Sequence, residues 1–182
     1  MCGLFGIQYL YKKNISLKNI EKDVQLLTKL SRIRGTDTFG ISISSEDKES
    51  IFKINEDPKR AIKRKDYKLF LKKNLDTLSF PVGINGQTRL VTNGTKFVDL
   101  NNQPIITKNI IGTHNGILIF DNIGIKNNAE ILEGYKVKSD SLNFYENLSK
   151  IYEKDENNFI KNFKDYLQDL VGNFSVAFRV MP

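Results

Sequence analysis

The sequence predicts an α+β fold built largely from antiparallel strands, and three observations carry that expectation. Short runs with strand-like apolar patterning recur at the beginning, middle and end of the chain. Segments with helical apolar spacing lie between them. Turn-forming Gly and Asn residues separate neighbouring runs closely enough for hairpins, which favours antiparallel layers over a doubly wound parallel sheet. At 182 residues the chain fits one domain with a substantial core, and 40% hydrophobic residues is ordinary for a globular protein.

The elements follow in order. Gly3 to Tyr11 reads as a strand rich in apolar and aromatic residues. Ser16 can cap a helix in which Leu17, Ile20, Val24, Leu27 and Leu30 recur at helical spacing, and Gly35 is placed to end it. Phe39, Ile41 and Ile43 alternate with small residues as a second strand, and Ile51 to Ile54 forms another. The basic stretch from Lys59 to Lys73 reads as an exposed helix. Pro81 to Ile84 reads as strand, followed by a Gly/Asn/Thr-rich loop. Two apolar runs, Ile105 to Gly112 and Ile117 to Phe120, flank Thr113-His114-Asn115-Gly116, where Asn-Gly signals a hairpin turn. Ser139 can cap a helix carrying Leu142, Tyr145, Leu148 and Tyr152; a second presents Phe159, Phe163, Tyr166 and Leu170. Gly172 breaks that pattern, and Asn173 to Val180 returns to strand alternation.

Composition excludes several classes. No apolar run is long enough to span a bilayer, and the first residues lack the basic start of a signal peptide, so a cytoplasmic enzyme is expected. A single cysteine and a single histidine allow no internal disulfide and offer little to a metal. Neither a metal nor an organic cofactor is expected. The net charge of +7 raises the question of nucleic acid, but the basic residues between Lys59 and Lys73 alternate with apolar ones as on a solvated helix face. No recognition-helix, zinc-finger or RNP-type pattern accompanies them, and nucleic acid is disfavoured as a partner.

Cys2 draws attention because of its position. Its small side chain favours removal of Met1, which would leave a thiol and a free α-amine on one residue. An α-amine with a reference pKa of about 7.7–8.0 is partly neutral near physiological pH and can take the thiol proton. A lone cysteine at a strand start is otherwise a small buried hydrophobe.

Six segments then carry a resemblance. They are Met1-Cys2-Gly3-Leu4-Phe5-Gly6-Ile7, Arg34-Gly35-Thr36-Asp37-Thr38-Phe39-Gly40, Gly86-Gln87-Thr88-Arg89-Leu90-Val91-Thr92-Asn93-Gly94, His114-Asn115-Gly116, Ser139-Asp140-Ser141 and Leu170-Val171-Gly172-Asn173-Phe174-Ser175. In this order, across nearly the whole chain, they resemble the glutaminase domain of class II glutamine amidotransferases, which are N-terminal nucleophile hydrolases. Gln87 stands where that family usually has histidine, Val91 replaces a small alanine, and Asn122 follows His114-Asn115-Gly116 later than the family's asparagine.

The resemblance implies a four-layer αββα sandwich over residues 1–182, shortened at its C-terminus relative to the family and lacking an acceptor domain. It implies hydrolysis of L-glutamine to glutamate and ammonia, with Cys2 as nucleophile and the Asn115 side-chain amide and Gly116 N–H as oxyanion donors. Arg89 would bind the α-carboxylate, with Thr92 at the same end, and Asp140 would receive the α-ammonium. Arg34 and His114 are supporting candidates, and Leu90 and Val91 line or underlie the pocket. The ammonia would pass to a synthase or transferase domain or subunit, for amino-sugar formation, phosphoribosylamine formation or amidation of a carboxylate. Two other functions compete: a related hydrolase acting on a different amide, and a non-catalytic module using its basic helix to bind nucleic acid.

Overall fold

The computed structural model describes residues 2–11, 15–46, 48–77, 79–91, 95–120, 130–132, 135–137 and 139–181. Strand β1 (Gly3–Tyr9) leads to helix α1 (Leu17–Ser31), capped by Ser16 Oγ, which accepts from Asn19 N at 3.2 Å. The buried stripe of α1 is Ile20, Val24 and Thr28, whereas Leu17 and Leu30 of the expected apolar face are exposed. The helix tightens into a 3₁₀ turn over Arg32–Arg34, and Gly35 lies beyond it in extended conformation with its N–H returning to Arg32 O at 3.1 Å. Gly35 therefore closes the 3₁₀ turn and does not cap the α-helix.

Strands β2 (Thr38–Ser44) and β3 (Glu49–Ile54) form an antiparallel pair, and Phe39, Ile41 and Ile43 are buried as their alternation predicts. The basic stretch divides into α2 (Pro58–Ala61) and α3 (Lys65–Leu75), which bury Ala61, Tyr67, Leu71 and Leu75 under their exposed cations.

Strand β4 (Val82–Arg89) corrects the expected loop after Ile84. It pairs with β1 from Gly3↔Thr88 to Tyr9↔Val82 and with β2 from Thr38↔Arg89 to Ser44↔Gly83. Ladder bonds on both sides outweigh the weak strand preference of Gly83, Asn85 and Gly86. The resulting sheet has the order β1-β4-β2-β3. Its core joins α1, α2 and α3 through Ile20, Val24, Ala61, Tyr67 and Leu71 against Phe39, Ile41, Ile43 and Ile84.

A second sheet has the order β5-β6-β9, from β5 (Ile105–Ile106), β6 (Ile110–Phe120) and β9 (Leu170–Val180). The expected turn at Asn115-Gly116 is absent, because β6 runs unbroken through it. All eleven residues of β6 pair with β9, from Ile110↔Val180 to Phe120↔Leu170. Gly172 likewise lies within β9, at φ +147°. The hairpin instead falls between β5 and β6, where Thr107 N donates to Ile110 O at 2.8 Å.

A small pair, β7 (Glu130–Leu132) and β8 (Tyr135–Val137), completes the described strands. Helix α4 (Asp140–Lys154) starts at Ser139, whose Oγ accepts from Leu142 N at 3.3 Å, and α5 (Phe159–Gln168) follows. Phe144, Tyr145, Leu148 and Tyr166 pack from these helices against Phe174, Val176 and Phe178 of β9. The sheets approach each other where β1 and β4 meet β6. The architecture is α+β with antiparallel sheets, as the sequence predicts. No helix among the described residues is long and apolar enough to cross a membrane.

Candidate active site

Cys2 immediately precedes β1, at the end where β4 terminates in Arg89 and β6 passes through Asn115. Its main-chain nitrogen donates to Asn115 Oδ1 at 2.7 Å. Its carbonyl accepts from Arg34 Nε at 3.1 Å, and its thiol lies 3.9 Å from Leu90 O. Burial raises the thiol pKa, with a backbone hydrogen bond at Leu90 and the Arg89 charge acting in the opposite direction. The thiol is therefore a poor nucleophile without a base.

Asn115 has a defined orientation. Its carbonyl end receives the Cys2 N–H, so its amide NH₂ is the end able to donate elsewhere. Gly116 follows at φ +141°, and a Cβ there would stand 2.3 Å from Asn173 O. Only glycine allows β9 to approach so closely in that backbone conformation.

Arg89 is 6% exposed, and its Nη1 donates to Asn102 Oδ1 at 2.7 Å. Asn102 is aimed in turn by its Nδ2, which donates to Lys96 O at 2.7 Å. Burial lowers the Arg89 pKa, countered by the thiol and by Asp37 and Asp140. Asp140 stands at the first turn of α4, where Oδ2 accepts from Leu118 N at 3.1 Å and Oδ1 from Ser141 N at 2.9 Å. Capping and ligand binding are compatible here, since a carboxylate has more than two acceptor positions.

His114 is 2% exposed, and its Nδ1 meets Ser141 Oγ at 2.7 Å. Burial lowers its pKa, with Asp140 opposing, which favours neutral imidazole. It supports the strand from within.

These groups surround one cleft of about 800 Å³, lined among others by Cys2, Arg34, Arg89, Asn115, Gly116 and Asp140. No family model matches the chain, and no curated protein matches it. The cleft thus stands on its own geometry: a thiol, a buried guanidinium, a carboxylate and two donors on one strand. Its volume suits a small molecule.

Of the sequence-predicted site residues, Cys2, Arg89, Asn115, Gly116 and Asp140 are brought together, and Arg34 and His114 line the same cleft. Thr92 and Asn122 lie outside the described residues. Leu90 lines the cleft, while Val91 N donates to Asp37 Oδ2 at 2.8 Å and holds the end of β4 to the start of β2. No residue from Lys59 to Lys73 lines the cleft, and Arg64 in that stretch is tied to Asp66 at 2.8 Å and Glu56 at 3.5 Å. Sequence reasoning missed Asn101, Gln103, Ser141 and Asn173, which also line the cleft. The only signal for Gln103 was its place just before a short apolar run.

Proposed function

We propose that this chain is the glutaminase domain of a class II glutamine amidotransferase, hydrolysing L-glutamine to glutamate and ammonia through a thioester on Cys2. The observation that carries the reading is the 2.7 Å contact between the Cys2 nitrogen and Asn115 Oδ1. It brings the nitrogen and thiol of one residue beside the donors an acyl-transfer oxyanion requires. An αββα layering suits the observed order, with α1 and α3 on the first sheet and α4 and α5 on the second.

In the chain that begins at Met1, the Cys2 nitrogen is a peptide N–H and only donates. Removal of Met1 makes it an α-amine whose neutral form accepts a proton. That amine is the base the buried thiol lacks. The sulfur attacks the side-chain amide carbon of glutamine, and the carbonyl electron pair moves to oxygen. The Asn115 NH₂ and Gly116 N–H stabilise that oxyanion. On collapse, the C–N bond breaks, the α-ammonium returns its proton to the leaving nitrogen, and ammonia departs. Water then cleaves the thioester to glutamate and restores the thiol. Arg89 binds the substrate carboxylate and Asp140 its ammonium, a pairing that selects an α-amino acid. The ammonia passes to an acceptor reaction on another domain or chain.

Intact mass measurement before and after exposure to a glutamine-analogue electrophile tests this reading, alongside a glutaminase assay. The expected result is loss of Met1, one adduct on the wild type and none on Cys2→Ala. Retention of Met1, or equal labelling of Cys2→Ala, would overturn it.

A further inference from the structure

Among the described residues, β6 reaches the site with one edge unpaired by a neighbouring strand. The Thr107–Ile110 bond shows that even-numbered residues of β6 face β5, and β5 pairs only Ile111 and Gly112. From His114 onward, the even-numbered N–H and C=O groups on that edge need other partners. At His114 both come from side chains. Its N–H donates to Gln103 Oε1, and its carbonyl accepts from Gln87 Nε2 at 2.7 Å. At Leu118 the N–H donates to Asp140 Oδ2 at 3.1 Å. Strand alternation aims the Gly116 N–H at the same edge, between these two anchored rungs, where Gly116 lines the cleft.

We propose that Gln87 and Gln103 are positioning residues that clamp His114 in place of the missing β5 rung and thereby fix the Asn115 and Gly116 oxyanion donors. This inference rests on the glutaminase reading above. Gln87 comes from the first sheet, and its Oε1 is buried with no hydrogen bond, so its amide is committed to the His114 carbonyl alone. Gln103 also donates through Nε2 to Ser141 Oγ at 3.0 Å, the same oxygen that meets His114 Nδ1. One glutamine thus holds the main chain of His114 and the group orienting its ring. The two amides join β4, the segment before β5 and α4 to a single residue next to the donors.

The two bonds have opposite polarity, which gives a test. Glutamate at 103 keeps an acceptor for the His114 N–H, whereas glutamate at 87 replaces a donor with an acceptor facing a carbonyl. Gln87→Leu and Gln103→Leu are expected to lower kcat about 10–100-fold while KM for glutamine stays within about threefold. Gln103→Glu is expected to recover at least about tenfold of the Gln103→Leu loss, and Gln87→Glu none of the Gln87→Leu loss. Amide hydrogen exchange at His114, read by NMR on the 182-residue chain, needs no turnover. It should accelerate in Gln103→Leu and slow again in Gln103→Glu. Where a leucine variant does not fold, the near-isosteric glutamate pair alone decides, with Gln103→Glu the more active and slower to exchange. Equal behaviour of the two glutamate variants, or a fall in activity confined to KM, overturns the clamp. A wild type that hydrolyses no glutamine refutes the glutaminase reading instead, and the exchange measurement then decides the clamp by itself.

Discussion

At Gly116 a single added methyl group meets two obstacles whose sizes follow from geometry. The residue sits at φ +141°, and a Cβ there would lie 2.3 Å from Asn173 O, 2.6 Å from Phe174 Cα and 2.8 Å from Phe174 Cβ. Two of these neighbours are backbone atoms paired with β6 across an eleven-residue ladder, so they cannot swing aside as a side-chain tip would. The unfavourable backbone conformation costs about 1–3 kcal/mol. Forcing packed atoms apart adds about 1–3 kcal/mol. For a chain of 182 residues the sum lowers Tm by about 5–20 °C. Relief by separating β9 from β6 would also move the Gly116 N–H, and loss of one oxyanion donor lowers kcat about 10²–10³-fold.

Gly172→Ala provides the matched strain control. Gly172 sits at φ +147°, and its added Cβ would stand 2.1 Å from Ile117 O, across the same pair of strands. Both variants should lose stability in thermal unfolding followed by circular dichroism. In glutaminase assays run well below both midpoints, Gly116→Ala should lose far more kcat than Gly172→Ala. A Gly116→Ala protein with wild-type Tm and wild-type kcat would refute both the strain and the donor assignment. Equal kcat losses in the two variants would refute the donor assignment alone.

Three further outcomes are expected. Asn115→Asp keeps the acceptor that receives the Cys2 nitrogen but loses the donating NH₂, so kcat should fall about 10²–10³-fold while Met1 removal continues normally by mass. Arg89→Lys keeps a charge but loses the planar fork, and should raise KM for glutamine more than it lowers kcat, whereas a surface ion pair would leave both unchanged. His114, the chain's single histidine, has a folded pKa depressed by burial, so its stabilising contribution is complete above the unfolded value of about 6.5 and is lost as pH falls through that value toward the folded one. Urea unfolding of the wild type between pH 7.5 and 5.5 should therefore lose stability by no more than about 1.4 kcal/mol per pH unit, and His114→Asn should flatten that slope. An unchanged slope in the variant assigns the acid sensitivity elsewhere.

The parts of the fold visible in the sequence are those where local preference and tertiary context agree. In β2, Phe39, Ile41 and Ile43 face the helices while Gly40, Ser42 and Ser44 take the other side, and period-two alternation records that division. Ser16 and Ser139 cap the helices they were expected to cap because capping is a local bond to the next turn. Helix α1 was harder. Its apolar residues surround more of the helix than the fold covers, so the Ile20–Val24–Thr28 stripe is set by the sheet beneath it.

The two largest misreadings, β4 beyond Ile84 and the unbroken β6, fall on the strands that carry the site. Gly86, Asn115 and Gly116 have weak strand preference and strong turn chemistry, yet each, like Gln87 beside Gly86, is held in a ladder by neighbours distant in sequence. A continuous row of β-branched residues would suit those ladders better. It would also fill the cleft with methyl groups and remove the amides that meet Cys2 and His114. The conflict between local preference and observed strand is therefore itself informative: Gly86 leaves room for the Phe5 ring and Gly116 for β9, while Gln87 and Asn115 place side-chain amides against His114 and Cys2. The motif resemblance singles out Asn115 and Gly116 as candidates because it rests on a local run of residue types, His114-Asn115-Gly116. It could not identify the function of Gln103, whose contribution exists only once β5 has stopped short and left the His114 N–H without a strand partner.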